Sequence, residues 1–275
     1  YAKSLLFSQL GNNYNEEKFA VINADDRYKD VIENATSRAV IRYGFSEDAY
    51  IRATNLKLEA TSSIFDVETP EENFTIHSNM TGKFNVYNML AAISVAYSYK
   101  IPMNIVKQAL ETIEGVPGRF EAVHAGQSFS VIVDYAHTPD SLENVLQSIN
   151  DIKKGKVLTV VGCGGDRDRS KRPKMADVSM KYSDLSYFTS DNPRTEDPNR
   201  ILKDMTGHLS GHDFQVITDR KEAIKEAIHS AAKDDIVLIA GKGHETYQEI
   251  NGERHHFDDR EVARQIITEL LKEKF

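Results

Sequence analysis

The chain has 275 residues, 40% of them hydrophobic and 28% charged, and a formal net charge of −8. That length supports a sizeable core and two domains, and the composition is that of a globular protein. The acidic balance argues against nucleic-acid binding, and no apolar run approaches a membrane span. One cysteine, Cys163, leaves no internal disulfide and suits a reducing, cytoplasmic setting; a monomer is expected.

The opening Tyr1-Ala2-Lys3-Ser4-Leu5-Leu6-Phe7 reads as the middle of a helix, without a cap or an initiating Met, so an N-terminally incomplete chain is expected. Apolar runs at 18–23 and 39–44 read as strands, the first leading into the loop Asn23-Ala24-Asp25-Asp26. Residues 49–79 alternate apolar and polar around Thr69-Pro70, the pattern of antiparallel strands. Helices follow at 84–99 and 103–113. Breakers cluster at Glu114-Gly115-Val116-Pro117-Gly118-Arg119, which sets expected domains of 1–115 and 116–275. Strands then alternate with helices: strands at 130–133, 157–161, 185–189, 215–218 and 236–240, helices near 141–152, 173–182, 198–209, 220–232 and 260–273. This rhythm predicts a mostly parallel, Rossmann-like sheet covered on both faces.

In such a sheet the carboxyl ends of the strands lie on one rim, where ligands bind. Here those ends carry Asp134-Tyr135-Ala136-His137-Thr138-Pro139, Gly162-Cys163-Gly164-Gly165-Asp166-Arg167, Ser190-Asp191-Asn192-Pro193-Arg194 and Gly241-Lys242-Gly243-His244-Glu245. Pro193 stiffens its turn, and the planar fork of Arg194 suits a carboxylate, although a solvated surface arginine fits the same residues. The glycines at 162–165 suit either an anion nest or a simple tight turn. Arg167, Arg169, Lys171, Arg172 and Lys174 form a basic run that reads as a solvated face, with Arg167 the member nearest the strand end. His244 beside Glu245 suggests an acid–base pair or a metal site, but the spacing is not H-E-x-x-H. His255-His256 and Asp258-Asp259 read as solvated side chains before a helix, with one of the two aspartates as its cap. Neither G-x-G-x-x-G nor G-x-x-x-x-G-K-[ST] occurs in these glycine loops, which argues against a nicotinamide dehydrogenase.

These stretches, with Gly82-Lys83-Phe84-Asn85-Val86-Tyr87-Asn88 and Gly118-Arg119-Phe120-Glu121, resemble the Mur ligases in family order over almost the whole chain, and within them the MurE branch. The resemblance implies the C-terminal part of a central ATPase domain followed by an α/β domain that binds the incoming amino acid. It implies an ATP- and Mg²⁺-dependent ligase of peptidoglycan synthesis that joins meso-diaminopimelate to UDP-MurNAc-L-Ala-D-Glu through an acyl phosphate. By motif position, Lys3 matches a carbamylated lysine associated with Mg²⁺. Asn85, Asn88, Arg119 and Asp134 match nucleotide contacts, with His137 close to the chemistry. Arg167, Asp191, Asn192, Pro193, Arg194, Gly241 and Glu245 match the amino-acid site, and the Asp-Asn-Pro-Arg motif goes with meso-diaminopimelate rather than lysine. The family's phosphate loop and UDP-binding domain have no counterpart in the chain, so no turnover is expected from it alone. The alternatives are a lysine-adding relative, a folylpolyglutamate- or cyanophycin-type ligase, and a binding fragment without activity.

Overall fold

The computed structural model describes residues 2–12, 17–59 and 62–273. Tyr1 of the opening motif, and residues 60–61 within the expected antiparallel run, lie outside them. The chain divides into two compact units, Tyr1–Glu114 and Gly115–Phe275.

In the first unit, α1 (Ala2–Ser8) precedes a sheet in the order β1 (Phe19–Asn23), β2 (Ala39–Gly44), β3 (Ile51–Leu58), β4 (Ser63–Glu68) and β5 (Asn73–Ser78). The first three strands run parallel and the last three antiparallel, as the alternation at 49–79 predicts. The inward residues Phe65, Val67 and Ile76 pack with Val86, Met89, Leu90 and Ile93 of α3 (Lys83–Ser98) and with Val106 and Leu110 of α4 (Met103–Thr112). A one-turn helix, α2 (Lys29–Glu33), carries too short an apolar pattern to be read from sequence. Asp25, just past β1, accepts hydrogen bonds from the Phe45 and Ser46 N–H groups and from the Tyr87 hydroxyl. Burial raises its carboxyl, but these bonds outweigh that effect and hold it below its ordinary range.

In the second unit the sheet order is β10 (Phe214–Val216), β9 (Leu185–Phe188), β8 (Val157–Val161), β11 (Ile236–Ala240), β7 (Ser130–Asp134) and β6 (Glu121–Ala122). All pairs are parallel except β6 with β7, a two-residue edge strand too short for a periodic signal. Every residue of β8 and β11 is buried, so both strands read as continuous apolar runs rather than alternating ones. Each fully buried aliphatic side chain there contributes about 1.5–3 kcal/mol. Val131, Val133, Leu158, Val160, Val237 and Ile239 face α8 (Arg220–Ser230) and α9 (Asp259–Glu273). The alternate residues, such as Ile132 and Leu238, are equally buried, and α6 (Lys171–Tyr182) and α7 (Pro198–Thr206) pack against β8 and β9, with α5 (Pro139–Ile152) beside α6.

The helix starts follow their capping residues. Thr138 caps α5 in a reciprocal box with Ser141, with Pro139 at the first helical position. Asp197 and Asp219 accept N–H bonds at the starts of α7 and α8. Because β11 is inserted between β7 and β8, connections leave neighbouring strand ends in different directions, and a crevice opens at that rim.

Candidate functional site

A cleft of about 400 Å³ lies on this rim. It is lined by Tyr135 and His137 after β7, Cys163, Gly164 and Arg167 after β8, Asp191, Asn192 and Arg194 after β9, and Gly241 and Glu245 after β11. The strand-end loops therefore converge, and they bring together all of the residues expected to hold an amino acid, with Pro193 buried in the wall behind them.

The glycine loop contributes by close packing. A Cβ on Gly165 would lie 1.9 Å from the Pro193 carbonyl oxygen, so only glycine lets the β8 loop seat against the Asp-Asn-Pro-Arg turn. The Gly165 N–H bonds the Asn192 carbonyl at 2.9 Å, and the Asp166 N–H goes to Glu196 Oε1. The Gly165 N–H is thus spent within the protein, as the tight packing turn at 162–165 requires. Arg194 is half-buried and has a left-handed backbone, φ 51°. Its Nη1 donates to the Gly165 carbonyl at 2.7 Å, and its Nε lies 3.7 Å from Glu249 Oε2. The arginine is thus held in place rather than freely solvated, with its fork at the cleft. Arg167 is exposed and lines the same cleft.

The remaining basic run is not a solvated face throughout. Arg172 is 1% exposed and pairs with Glu196 at 2.7 Å and Asp204 at 2.8 Å. Arg169 shares Asp204. The Arg172 hydrogen bonds and the Asp166 N–H hold the Glu196 carboxyl down at about 2.

His244 and Glu245 do not form an acid–base pair. His244 is exposed, with its ring 5.3 Å from that of Tyr135, whereas Glu245 Oε2 accepts from Asn192 Nδ2 at 2.8 Å and Lys242 Nζ at 3.2 Å. The Glu245 N–H bonds the Lys242 carbonyl at 2.9 Å, closing a turn through Gly243 (φ 52°) that returns Glu245 beside Lys242. Among the described residues no three His, Cys, Asp or Glu side chains cluster as a metal site. His255 and His256 are exposed on the strand β13 (Glu253–His256), antiparallel to β12 (Tyr247–Ile250). The signal for this hairpin was Asn251-Gly252, both with positive φ, the residues a two-residue turn demands. The hairpin serves the cleft: Gln248 Nε2 donates to the Asp191 carbonyl at 2.7 Å and the Glu249 N–H to Asn192 Oδ1 at 2.9 Å. Asp258 caps α9 through the Arg260 N–H, whereas Asp259 is fully buried against Arg220 at 2.7 Å.

The residues matched to nucleotide contacts differ in what they offer. Arg119 and His137 are exposed around the Tyr135 ring, the guanidinium 5.1 Å and the imidazole 4.6 Å from its centre. Asp134 is buried, and its two oxygens accept from the Phe120 and Ala136 N–H groups. Burial raises its carboxyl, against those two bonds and Arg119. In the first unit Asn85 is buried and donates to the Thr81 carbonyl, so it clips the start of α3, and Asn88 is exposed one turn later. Lys3 is exposed on α1 and lines a separate cavity of about 680 Å³ with Asn23 and Asp26.

Residues 1–96 match the Mur ligase middle domain, and residues 118–243 match the domain described as "Mur ligase, glutamate ligase domain". The chain belongs to the Mur ligase family. It is similar to UDP-N-acetylmuramoyl-L-alanyl-D-glutamate--2,6-diaminopimelate ligases: 56% identical to that of Oceanobacillus iheyensis over 97% of this chain, and 50% identical to that of Bacillus cereus over 98%. It spans 55% of the length of each of these relatives. A solved structure of a ligase of the same name matches over 98% of this chain and 56% of its own, with a TM-score of 0.69 at 37% identity. The folylpolyglutamate synthase of Thermotoga maritima shares the fold, with a TM-score of 0.63 at 20% identity over 82% of this chain and 52% of its own.

Proposed function

We propose that the chain is part of a cytoplasmic, monomeric, ATP-dependent ligase that adds meso-diaminopimelate to UDP-MurNAc-L-Ala-D-Glu in peptidoglycan synthesis. Residues 1–115 then belong to the ATP-binding domain and 116–275 to the amino-acid-binding domain. The observation that carries this reading is the mixed charge of the cleft: Arg167, Lys171 and Arg194 share it with Asp168, Asp191 and Glu245. Diaminopimelate has an ammonium and a carboxylate at each end, whereas lysine lacks the second carboxylate. The arginine fork suits that carboxylate, and Glu245 suits an ammonium.

A carboxylate resists attack by an amine until one of its oxygens becomes a leaving group. Transfer of the terminal ATP phosphoryl to the γ-carboxylate of D-Glu supplies that group. The amine then attacks the carbonyl carbon, and phosphate departs. Orientation and charge neutralisation supply most of the rate. Arg119 and His137 are the exposed groups suited to nucleotide phosphate, and Asn88 is suited to a base edge. Asp134 and Asn85 hold the backbone beneath them. Mg²⁺, when bound, neutralises phosphate charge. It takes hard oxygen ligands, and Lys3 fits that requirement only as a carbamate, in a cavity it shares with Asn23 and Asp26.

Isothermal titration of the chain with meso-diaminopimelate and with L-lysine tests the substrate. The expected outcome is a preference for meso-diaminopimelate of at least about a hundredfold, because lysine brings no second carboxylate to the cleft arginines. Equal affinities would overturn the choice of amino acid.

A further inference from the structure

Behind the cleft wall lies a lysine with no solvent contact. Lys242 follows β11 and is 0% exposed. Its ammonium carries three N–H donors. They meet three acceptors: Asn192 Oδ1 at 3.1 Å, Glu245 Oε2 at 3.2 Å and the Tyr247 carbonyl oxygen. Burying an ammonium carries a large desolvation cost, and an apolar side chain of similar length would fill the same space without it. What an apolar residue would lose is control over two cleft side chains.

The first is Asn192, whose amide has two orientations of similar shape. Lys242 Nζ and the Glu249 N–H both donate to its Oδ1, so its Nδ2 turns to Glu245. The second is Glu245, whose Oε2 then receives two donors, Asn192 Nδ2 and Lys242 Nζ. One carboxylate oxygen is thereby tied to the wall of the cleft that Glu245 lines. We infer that Lys242 is a positioning residue that orients Asn192 and Glu245 as a single unit and so sets the anionic side of the cleft that receives a ligand ammonium. The ligand assignment rests on the function proposed above; the orientation of the two side chains does not.

Two measurements on the chain separate these parts. The first follows hydrogen exchange of the Asn192 side-chain amide by ¹⁵N NMR, with no ligand present. Exchange at least tenfold faster in Lys242→Met than in the unsubstituted chain is expected, and an unchanged rate would overturn the positioning role. Should Lys242→Met fail to fold, the double variant Lys242→Met/Glu245→Gln removes both charges, and its amide is compared with that of Glu245→Gln. Faster exchange in the double variant supports the role, and equal exchange overturns it. The second is a titration cycle with meso-diaminopimelate. Lys242→Met is expected to weaken binding at least tenfold, and the double variant to lose less than the two single losses combined. Additive losses would mean that Lys242 acts elsewhere. If the unsubstituted chain does not bind meso-diaminopimelate, the proposed substrate fails, and amide exchange still decides the role of Lys242.

Discussion

At the scale of single residues, neighbours with similar chemistry take different roles according to the partners the fold gives them. Asp258 and Asp259 are both buried, but Asp258 caps α9 through the Arg260 N–H, and Asp259 is sealed in an ion pair with Arg220. Arg167 lines the cleft, whereas Arg172, five positions on, is buried among carboxylates. Cys163 also lines the cleft, but burial, and then the charge of Asp191, push its thiol up to about 12. The thiolate is the reactive form, so the thiol is expected to resist iodoacetamide at pH 8 and to label only on unfolding, as read by mass spectrometry. Labelling of the folded chain at the rate of a free thiol would contradict this. The sign of the linked pH effect follows: folding raises this group above its ordinary 9, so its presence lowers stability as the pH climbs past about 9.

At the scale of elements, the loops after β9 and β11 are tied to the starts of α8 and α9 by one buried group. Arg220, the first residue of α8, pairs with Asp259, the first of α9. It also donates to the carbonyls of Ala240 at 3.0 Å and Ser190 at 3.4 Å. Replacing Asp259 by Asn strands a buried guanidinium, and a loss of about 3–5 kcal/mol is expected in urea denaturation. Replacing both partners by apolar residues of similar volume is expected to cost less. A small loss for Asp259→Asn would show that the carbonyls alone satisfy Arg220. The alternating strands and helices of this unit were legible because β8 and β11 are long apolar runs between breakers. β6, β12 and β13 were not, since they are edge or hairpin strands of two to four residues, too short for a periodic signal.

At the scale of the whole molecule, each unit has its own sheet and its own apolar core. Among the described residues, a core cluster of the second unit runs from Val123 to Leu270, with no residue of the first unit in it. Residues 115–275 are therefore expected to fold alone with a single cooperative thermal transition by circular dichroism. A broad, non-cooperative melt of that fragment would mean that its core depends on residues before Gly115.

The sequence alone determined the order of elements, the strand-end loops that carry polar residues and the motifs shared with the Mur ligases, because periodicity, breakers and short motifs are local properties. Tertiary structure decided which of those polar residues work together. The cleft exists because parallel strands carry loops from four distant stretches to one rim. Whether Arg172, Lys242 or Asp259 faces water or a partner depends on elements tens of residues away, and no window of sequence contains that information.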